Sequence, residues 1–82
     1  MNVRIRLFAI LRERAGGDSI EVELADGATV ADALRALQET GPLASILERL
    51  PVHMAVNREY ATPHTPLAAE DELALIPPLS GG

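Results

Sequence analysis

The chain has 82 residues, enough for one domain, and a chain of this size buries only about 60 to 65% of its unfolded surface, which leaves little room for an internal active site. A net charge of −5 and only two aromatic residues, Phe8 and Tyr60, argue against binding to nucleic acid and favour partners with basic surfaces. The sequence has no cysteine, no apolar run near the 20 residues of a membrane span and no secretory signal, so it predicts a cytoplasmic protein without disulfides or membrane contact.

Two strands with one buried face are predicted near the N-terminus. Apolar residues alternate with charged ones from Val3 to Leu7 and again from Ile20 to Leu24. We expect the strands to pair antiparallel and to place cross-strand ion pairs on the solvent-exposed face of the sheet, with Arg4 and Arg6 opposite Glu21 and Glu23. Between the strands, the segment 11–15 suits one helical turn that Gly16 ends.

The main helix is predicted to follow the turn at Asp26-Gly27. Thr29 precedes Asp32 by three residues, a spacing typical of the first turn of a helix. The next apolar residues form one stripe at helical spacing: Val30, Ala33, Leu34 and Leu37. Gly41-Pro42 provides the stop, and residues 43–50 suit another helical turn or two.

Three further strands complete the predicted fold. They are expected over residues 52–56, 60–62 and 73–76, with a turn at 57–59, a loop from 63 to 71 and Pro77 as the end of the last strand. That last strand is apolar throughout, as expected for a central position. This order predicts an α+β fold of the β-grasp type, a mixed sheet of four to five strands packed on one main helix, over residues 1–76. Residues 77–82 are expected to form an extended C-terminal tail.

The tail is the predicted reactive part of the chain. It reads Pro77-Pro78-Leu79-Ser80-Gly81-Gly82, and two terminal glycines arise by chance in roughly 0.5% of chains. Without Cβ atoms, they can enter a slot that is too narrow for any side chain, where a partner enzyme would reach the carboxylate of Gly82. A frayed end or a cloning remnant is the alternative. The apolar strand just upstream favours the functional interpretation.

The sequence resembles the small subunit of molybdopterin synthase, a family of sulfur carriers with the ubiquitin-like β-grasp fold. The resemblance covers the whole chain and is strongest at its end. The matching segments are Leu7-Phe8-Ala9, Leu11-Arg12-Glu13, Ala15-Gly16, Thr29 to Leu34, Ala55-Val56-Asn57, Asp71 to Ala74, Ile76-Pro77-Pro78 and Gly81-Gly82. One departure is Ala69-Glu70, where the family often has Asp-Gly, and it affects the expected geometry of that turn.

The resemblance implies a mechanism. An ATP-dependent E1-like activating enzyme would adenylate Gly82, and sulfur would replace AMP to leave a thiocarboxylate, 1-thioglycine, above the thin neck of Gly81. The large subunit of molybdopterin synthase, expected in a heterotetramer, would then pass this sulfur to a cyclic pyranopterin precursor. The chain would be the carrier half of a sulfurtransferase, not catalytic alone and without a permanently bound cofactor.

Two other functions stay open at this point. One is a related carrier that feeds thiamine, tRNA or cysteine thiolation. The other is a ubiquitin-like interaction or tagging module without sulfur chemistry. All seven basic residues are arginine, whether through codon preference or for another reason, so the chain has no lysine that could accept a further copy through an isopeptide bond.

Other candidate sites carry weaker signals. His53 and His64 are expected to be exposed, not ligands or bases. The run from Glu70 to Glu72 is better explained as solvated charge than as a metal site, because side chains alternate along a strand. Gly16-Gly17 lacks a phosphate-loop pattern.

A docking patch is harder to place from the sequence. Phe8, Tyr60 and Ile76 are candidates for a partner interface near the last strand, or else for the core. The first four tail residues, Pro77, Pro78, Leu79 and Ser80, are further candidates.

Overall fold

A computed structural model describes residues 1–39 and 41–78 of the chain. Its strands are β1 (Asn2–Leu7), β2 (Ser19–Glu23), β3 (His53–Val56), β4 (Glu59–Ala61) and β5 (Glu72–Ile76). Its helices are α1 (Ile10–Ala15), α2 (Val30–Glu39) and α3 (Ala44–Leu47). The predicted elements are all present, and the ends of each strand lie within one residue of the predicted ends. Glu59, predicted in the turn, belongs to β4.

The strands form one mixed sheet in the order β2-β1-β5-β3-β4. β5 pairs parallel with β1 and antiparallel with β3, and the other pairs are antiparallel. The central position predicted for the last strand is confirmed. The parallel pairing has a consequence for function, because it brings the ends of β1 and β5 to the same edge of the sheet, where the chain continues into Pro77.

One face of the sheet packs into the hydrophobic core. Strand residues and helix residues share a single buried cluster, which includes Val3, Ile5, Leu7, Leu73 and Leu75 from the sheet and Val30, Ala33 and Leu37 from α2. Alternation along the strands puts every second residue on this inner face. The predicted stripe of α2 is therefore the surface that covers the sheet, with Leu34 half-buried at its margin.

The first turn of α2 has the polar contacts that the spacing of Thr29 and Asp32 predicts. The backbone N–H of Thr29 donates to Asp32 Oδ2 at 2.9 Å, and the Thr29 hydroxyl donates to the same oxygen at 3.2 Å. The backbone bond chiefly, with help from the hydroxyl and from Arg35, lowers the pKa of Asp32 below its ordinary value of 3.8. The charged carboxylate thus stabilises the start of the helix that covers the core.

The pairing predicted between the arginines of β1 and the glutamates of β2 on the solvent-exposed face is only half right. Arg4 lies opposite Glu21, but Arg6 lies opposite Ser19, and Glu23 lies opposite Asn2. In an antiparallel pair, moving two residues forward along β1 corresponds to moving two residues back along β2. Because Arg4 lies opposite Glu21, Arg6 lies opposite Ser19 and not opposite a glutamate of β2. Instead, Arg6 Nη1 lies 3.9 Å from Glu72 Oε1 on β5.

No helix among residues 1–39 and 41–78 is long and apolar enough to cross a membrane.

Candidate functional site

The outer face of the sheet, away from the core, carries a groove. Its volume is about 380 Å³. We call it the outer groove and define it by its lining residues: Arg6, Phe8, Ala55, Arg58, Tyr60, Glu72, Ala74 and Ile76. These residues come from or adjoin the strands β1, β5, β3 and β4.

Two alanines in register make the floor of the groove. Ala55 on β3 is paired with Ala74 on β5. Their side chains point to the outer face because their neighbours Met54 and Leu75 share the opposite one. Methyl groups at these two positions leave a depression between larger side chains on either side. Phe8 lies on the β1 side and Tyr60 on the β4 side.

The structure brings together the three residues that the sequence offered either as interface or as core. Phe8, Tyr60 and Ile76 all line the outer groove and lie outside the core cluster. Phe8 and Ile76 are half-buried, whereas Tyr60 is 86% exposed. A large side chain so exposed next to an apolar depression is typical of a contact surface. Their role in binding a partner stays a prediction.

Aromatic contacts at the groove involve charged or polar neighbours. The guanidinium carbon of Arg6 lies 5.5 Å from the centre of the Phe8 ring, within the range of a cation–π contact. On the other side, the His53 ring meets the Tyr60 ring edge to face, with centres 6.4 Å apart. Each aromatic side chain of the groove thus lies beside a charged or polar neighbour.

Sequence reasoning missed the role of Asn57 in shaping this site. Asn57 and Arg58 are the two loop residues between β3 and β4, and both have positive φ, 50° and 72°, as in a type I′ turn. The Asn57 side chain donates to Asp71 Oδ1 at 2.9 Å and accepts from the backbone N–H of Glu72 at 3.0 Å. The turn is thereby tied to the start of β5, and it holds Arg58 and Tyr60 at the groove. An Asn in a two-residue loop is a usual signal for such a turn, but its long-range bonds are not visible in sequence.

The turn before β5 contains the departure from the family pattern, Ala69-Glu70. Glu70 has φ of 71°, a left-handed conformation that favours glycine. Asp71 Oδ2 accepts a hydrogen bond from the backbone N–H of Ala68 at 2.8 Å and closes the turn. A non-glycine residue therefore adopts a conformation at position 70 that glycine would take with less strain.

The tail begins at the groove. Ile76 lines it, Pro77 is buried and Pro78 is exposed, so burial in the domain ends between the two prolines. The predicted reactive residues Gly81 and Gly82, and the predicted interface residues Leu79 and Ser80, lie outside the described residues. What the structure gives is the point from which the tail starts.

The alternative sites gain no support from the structure. His53 and His64 are both exposed, as predicted. Asp71, in the acidic run, is engaged in the hydrogen bonds that close the turn and hold Asn57. Within the part of the chain that the structure describes, no three His, Asp or Glu side chains are grouped closely enough to hold a metal ion.

Comparison with known families decides the classification. The model of the ThiS family matches residues 5–82, nearly the whole chain. The chain belongs to the ThiS family. The molybdopterin synthase sulfur carrier subunit of Chlamydomonas reinhardtii is 38% identical over 84 residues, with all of both chains covered. The predicted resemblance is confirmed.

Two solved structures extend the comparison. The crystal structure of small archaeal modifier protein 1 from Haloferax volcanii is similar to this ThiS-family chain over 100% of both chains, with a TM-score of 0.85 and 37% identity. A chain in the crystal structure of the Amycolatopsis orientalis BexX/CysO complex has a TM-score of 0.70 and 27% identity, and 98% of this chain and 99% of that one are covered. The predicted β-grasp fold is confirmed. This is a sulfur-carrier-like protein with a ubiquitin fold.

Proposed function

We propose that this chain is the sulfur carrier subunit of molybdopterin synthase. The observation that carries the proposal is the full-length similarity to a molybdopterin synthase sulfur carrier subunit, within a family match that extends to the last glycine. The groove beside the start of the tail supports it. On this proposal Gly82 is the reactive residue and Gly81 the neck below it.

The first step of the proposed mechanism activates Gly82. A terminal α-carboxylate has a pKa of about 3.3 to 3.7, so it is ionised at neutral pH and can attack the α-phosphate of ATP. In the E1-like activating enzyme this forms an acyl adenylate and releases pyrophosphate. A sulfur nucleophile from a donor then adds to the acyl carbon and AMP leaves, because phosphate is a far better leaving group than oxide. If the nucleophile is hydrosulfide, loss of its proton leaves the thiocarboxylate directly. If it is a donor persulfide, a thiol then attacks the donor sulfur of the acyl disulfide, so that the two thiol sulfurs are oxidised to a disulfide and the thiocarboxylate is the leaving group.

The second step requires the tail to enter the large subunit while the domain stays outside. Six extended residues from Pro77 to Gly82 span about 20 Å, and the final two carry no side chain. The outer groove would dock on the large subunit and thereby fix the point from which the tail extends. The large subunit would supply the acid–base groups and the basic residues for a phosphorylated pyranopterin precursor. Two sulfurs in the dithiolene product require two carrier turnovers.

Product formation tests the proposal directly. The carrier would be prepared as the Gly82 thiocarboxylate and mixed with the molybdopterin synthase large subunit and the cyclic pyranopterin precursor. We expect molybdopterin from the thiocarboxylate, and none from the unloaded carboxylate or from a variant that lacks Gly82. The circular dichroism of the deletion variant should match that of the complete chain. No product, with a large subunit that works with its own carrier, would refute the proposal.

Protein modification is a second candidate, because the chain is as similar to small archaeal modifier protein 1 as to the molybdopterin carrier. In this case the adenylated Gly82 would form an isopeptide bond with a lysine of a target protein and release AMP. The chain could act as donor only, since it contains no lysine. Incubation with the activating enzyme, ATP and cell extract would yield conjugates that persist under reducing conditions. If instead only thiolated small molecules appear, the chain acts as a carrier for this or another thiolation pathway.

A further inference from the structure

The charge of the outer groove is opposite to that of the chain as a whole. The chain carries seven arginines and twelve acidic residues. Among the described residues, the groove is lined by two of those arginines, Arg6 and Arg58, and by one acid, Glu72. The proposed docking surface is therefore locally basic on a protein that is acidic overall.

The two arginines are not equivalent. Arg6 is engaged within the domain, since it lies 3.9 Å from Glu72 and 5.5 Å from the centre of the Phe8 ring. Arg58 has no carboxylate within 4.0 Å among residues 1–39 and 41–78. Its backbone, however, is held firmly by the turn that Asn57 ties to β5. Within the described residues, Arg58 is thus a charge without a carboxylate partner, carried by a turn that is held beside an apolar depression.

The same face changes sign along the strands. Next to the outer groove, toward the start of β1 and β5, lies a second cleft lined by Asn2, Arg4, Glu21, Glu70, Asp71 and Glu72. A carboxylate of a partner would be attracted at the groove end. It would be repelled at the second cleft, where Arg4 is outnumbered by four acidic side chains, one of them the Glu72 that both clefts share. The face can therefore distinguish one docking orientation from its reverse.

We propose that the outer groove receives an apolar side chain of the large subunit with a carboxylate beside it, and that Arg58 pairs with this carboxylate and sets the docking orientation. The inference rests on the proposed function for the identity of the partner. Charge complementarity and the alanine floor define the chemistry of the occupant. A surface that is basic everywhere, as the net charge of the chain favours, would be repelled at Arg58.

The test uses charge reversal at Arg58 in the full-length chain. Arg58→Glu and Arg58→Gln keep a non-glycine residue at a positive φ, so neither adds backbone strain that arginine does not already have. The matched control is Arg14→Glu, an identical charge change at an exposed residue of α1 outside the groove. Binding of each variant to the large subunit would be measured by surface plasmon resonance at low and physiological salt, and melting temperatures would show that the domain stays folded.

We expect Arg58→Glu to weaken binding about tenfold or more at low salt, and Arg58→Gln to weaken it a few fold, with a smaller effect at physiological salt. Arg14→Glu should change it less than about twofold. Replacement of the paired carboxylate of the large subunit by arginine should restore binding of Arg58→Glu. Equal affinities of Arg58→Glu and Arg14→Glu would overturn the inference.

Two further outcomes separate this inference from the proposed function. If the wild-type thiocarboxylate makes molybdopterin and Arg58→Glu binds normally, the inference fails and the proposed function stands. If the wild-type chain neither binds the large subunit nor makes product, both fail. Sedimentation of the chain alone tests whether a second copy of the chain occupies the groove. A self-associating species that Arg58→Glu disperses would assign the groove to a second copy and overturn the inference.

Discussion

The two faces of the sheet are built from the same strands and have opposite properties. On β5, Leu73 and Leu75 are fully buried against the helices, while Ala74 and Ile76 between and after them line the outer groove. The inner face is closed by α2 and its neighbours. The outer face has small residues at its centre and aromatic and charged ones around them.

This difference shows how a small domain can separate folding from recognition. Because side chains alternate along a strand, one residue can contribute to the core and the next to a partner surface, so no side chain has to serve both. A chain of 82 residues has little stability to spare. We therefore expect substitutions on the outer face to alter partner choice at small cost in stability. We do not expect this of substitutions on the inner face, which packs into the core.

The largest predicted effect compares adjacent residues of β5. Leu75→Ala removes a fully buried side chain and should lower the free energy of unfolding by about 2 to 5 kcal/mol. Ile76→Ala should lower it by less, because Ile76 lies outside the core cluster and its side chain is only partly buried. Urea unfolding followed by circular dichroism measures both. Similar losses would contradict the separation of the two faces.

Tyr60 offers the clearest test of the outer face. Because its side chain is 86% exposed, Tyr60→Ala should change the free energy of unfolding by no more than about 0.5 kcal/mol. If it anchors the partner, binding to the large subunit should weaken by about 2 kcal/mol, or roughly 30-fold. Tyr60→Phe is the control that keeps the ring. Calorimetric binding that is unchanged by Tyr60→Ala would remove the outer groove from the interface.

The turn that leads into β5 should be improved by a substitution outside both the core and the outer groove, at a residue that lines the second cleft. Glu70 has φ of 71°, so Glu70→Gly should raise the free energy of unfolding by about 1 kcal/mol. Glu70→Ala removes the same charge and keeps the unfavourable conformation, and should give a smaller gain or none. Thermal unfolding distinguishes the two variants. An equal gain would attribute the effect to charge instead of backbone conformation.

The smallest predicted effect concerns the start of α2, which covers only the inner face. The pKa of Asp32 is lowered in the folded state, so its contribution to stability is present above the ordinary pKa of 3.8 and is lost as the pH falls through the lower folded value. Asp32→Ala should lower the melting temperature at pH 7 and have less effect near pH 2.5. Partner binding at pH 7 should not change. A melting difference that does not depend on pH would rule out the charged carboxylate as its cause.

Much of the fold could be predicted because it rests on local patterns. Alternation in β1, the helical stripe of α2, the Thr29 to Asp32 spacing and the proline at the end of β5 each reflect a period or a capping contact that neighbouring residues determine. The type of each element and the mixed sheet follow from them. The exact partner of Arg6 could not be predicted in this way. Register depends on how two separate strands meet, and a shift of two residues keeps the same side chains on each face.

The sequence by itself determined which residues alternate between faces, where the helix begins, and that the chain runs from an apolar strand through Pro77-Pro78 to Gly81-Gly82. Only the tertiary structure decided that Phe8, Tyr60 and Ile76 share one groove with an alanine floor, and that Arg58 stands beside it on a turn held by Asn57. The reason is physical. A site assembled from four strands depends on pairing across long loops, and the free energy of that pairing is summed over the whole sheet, so no local segment encodes it.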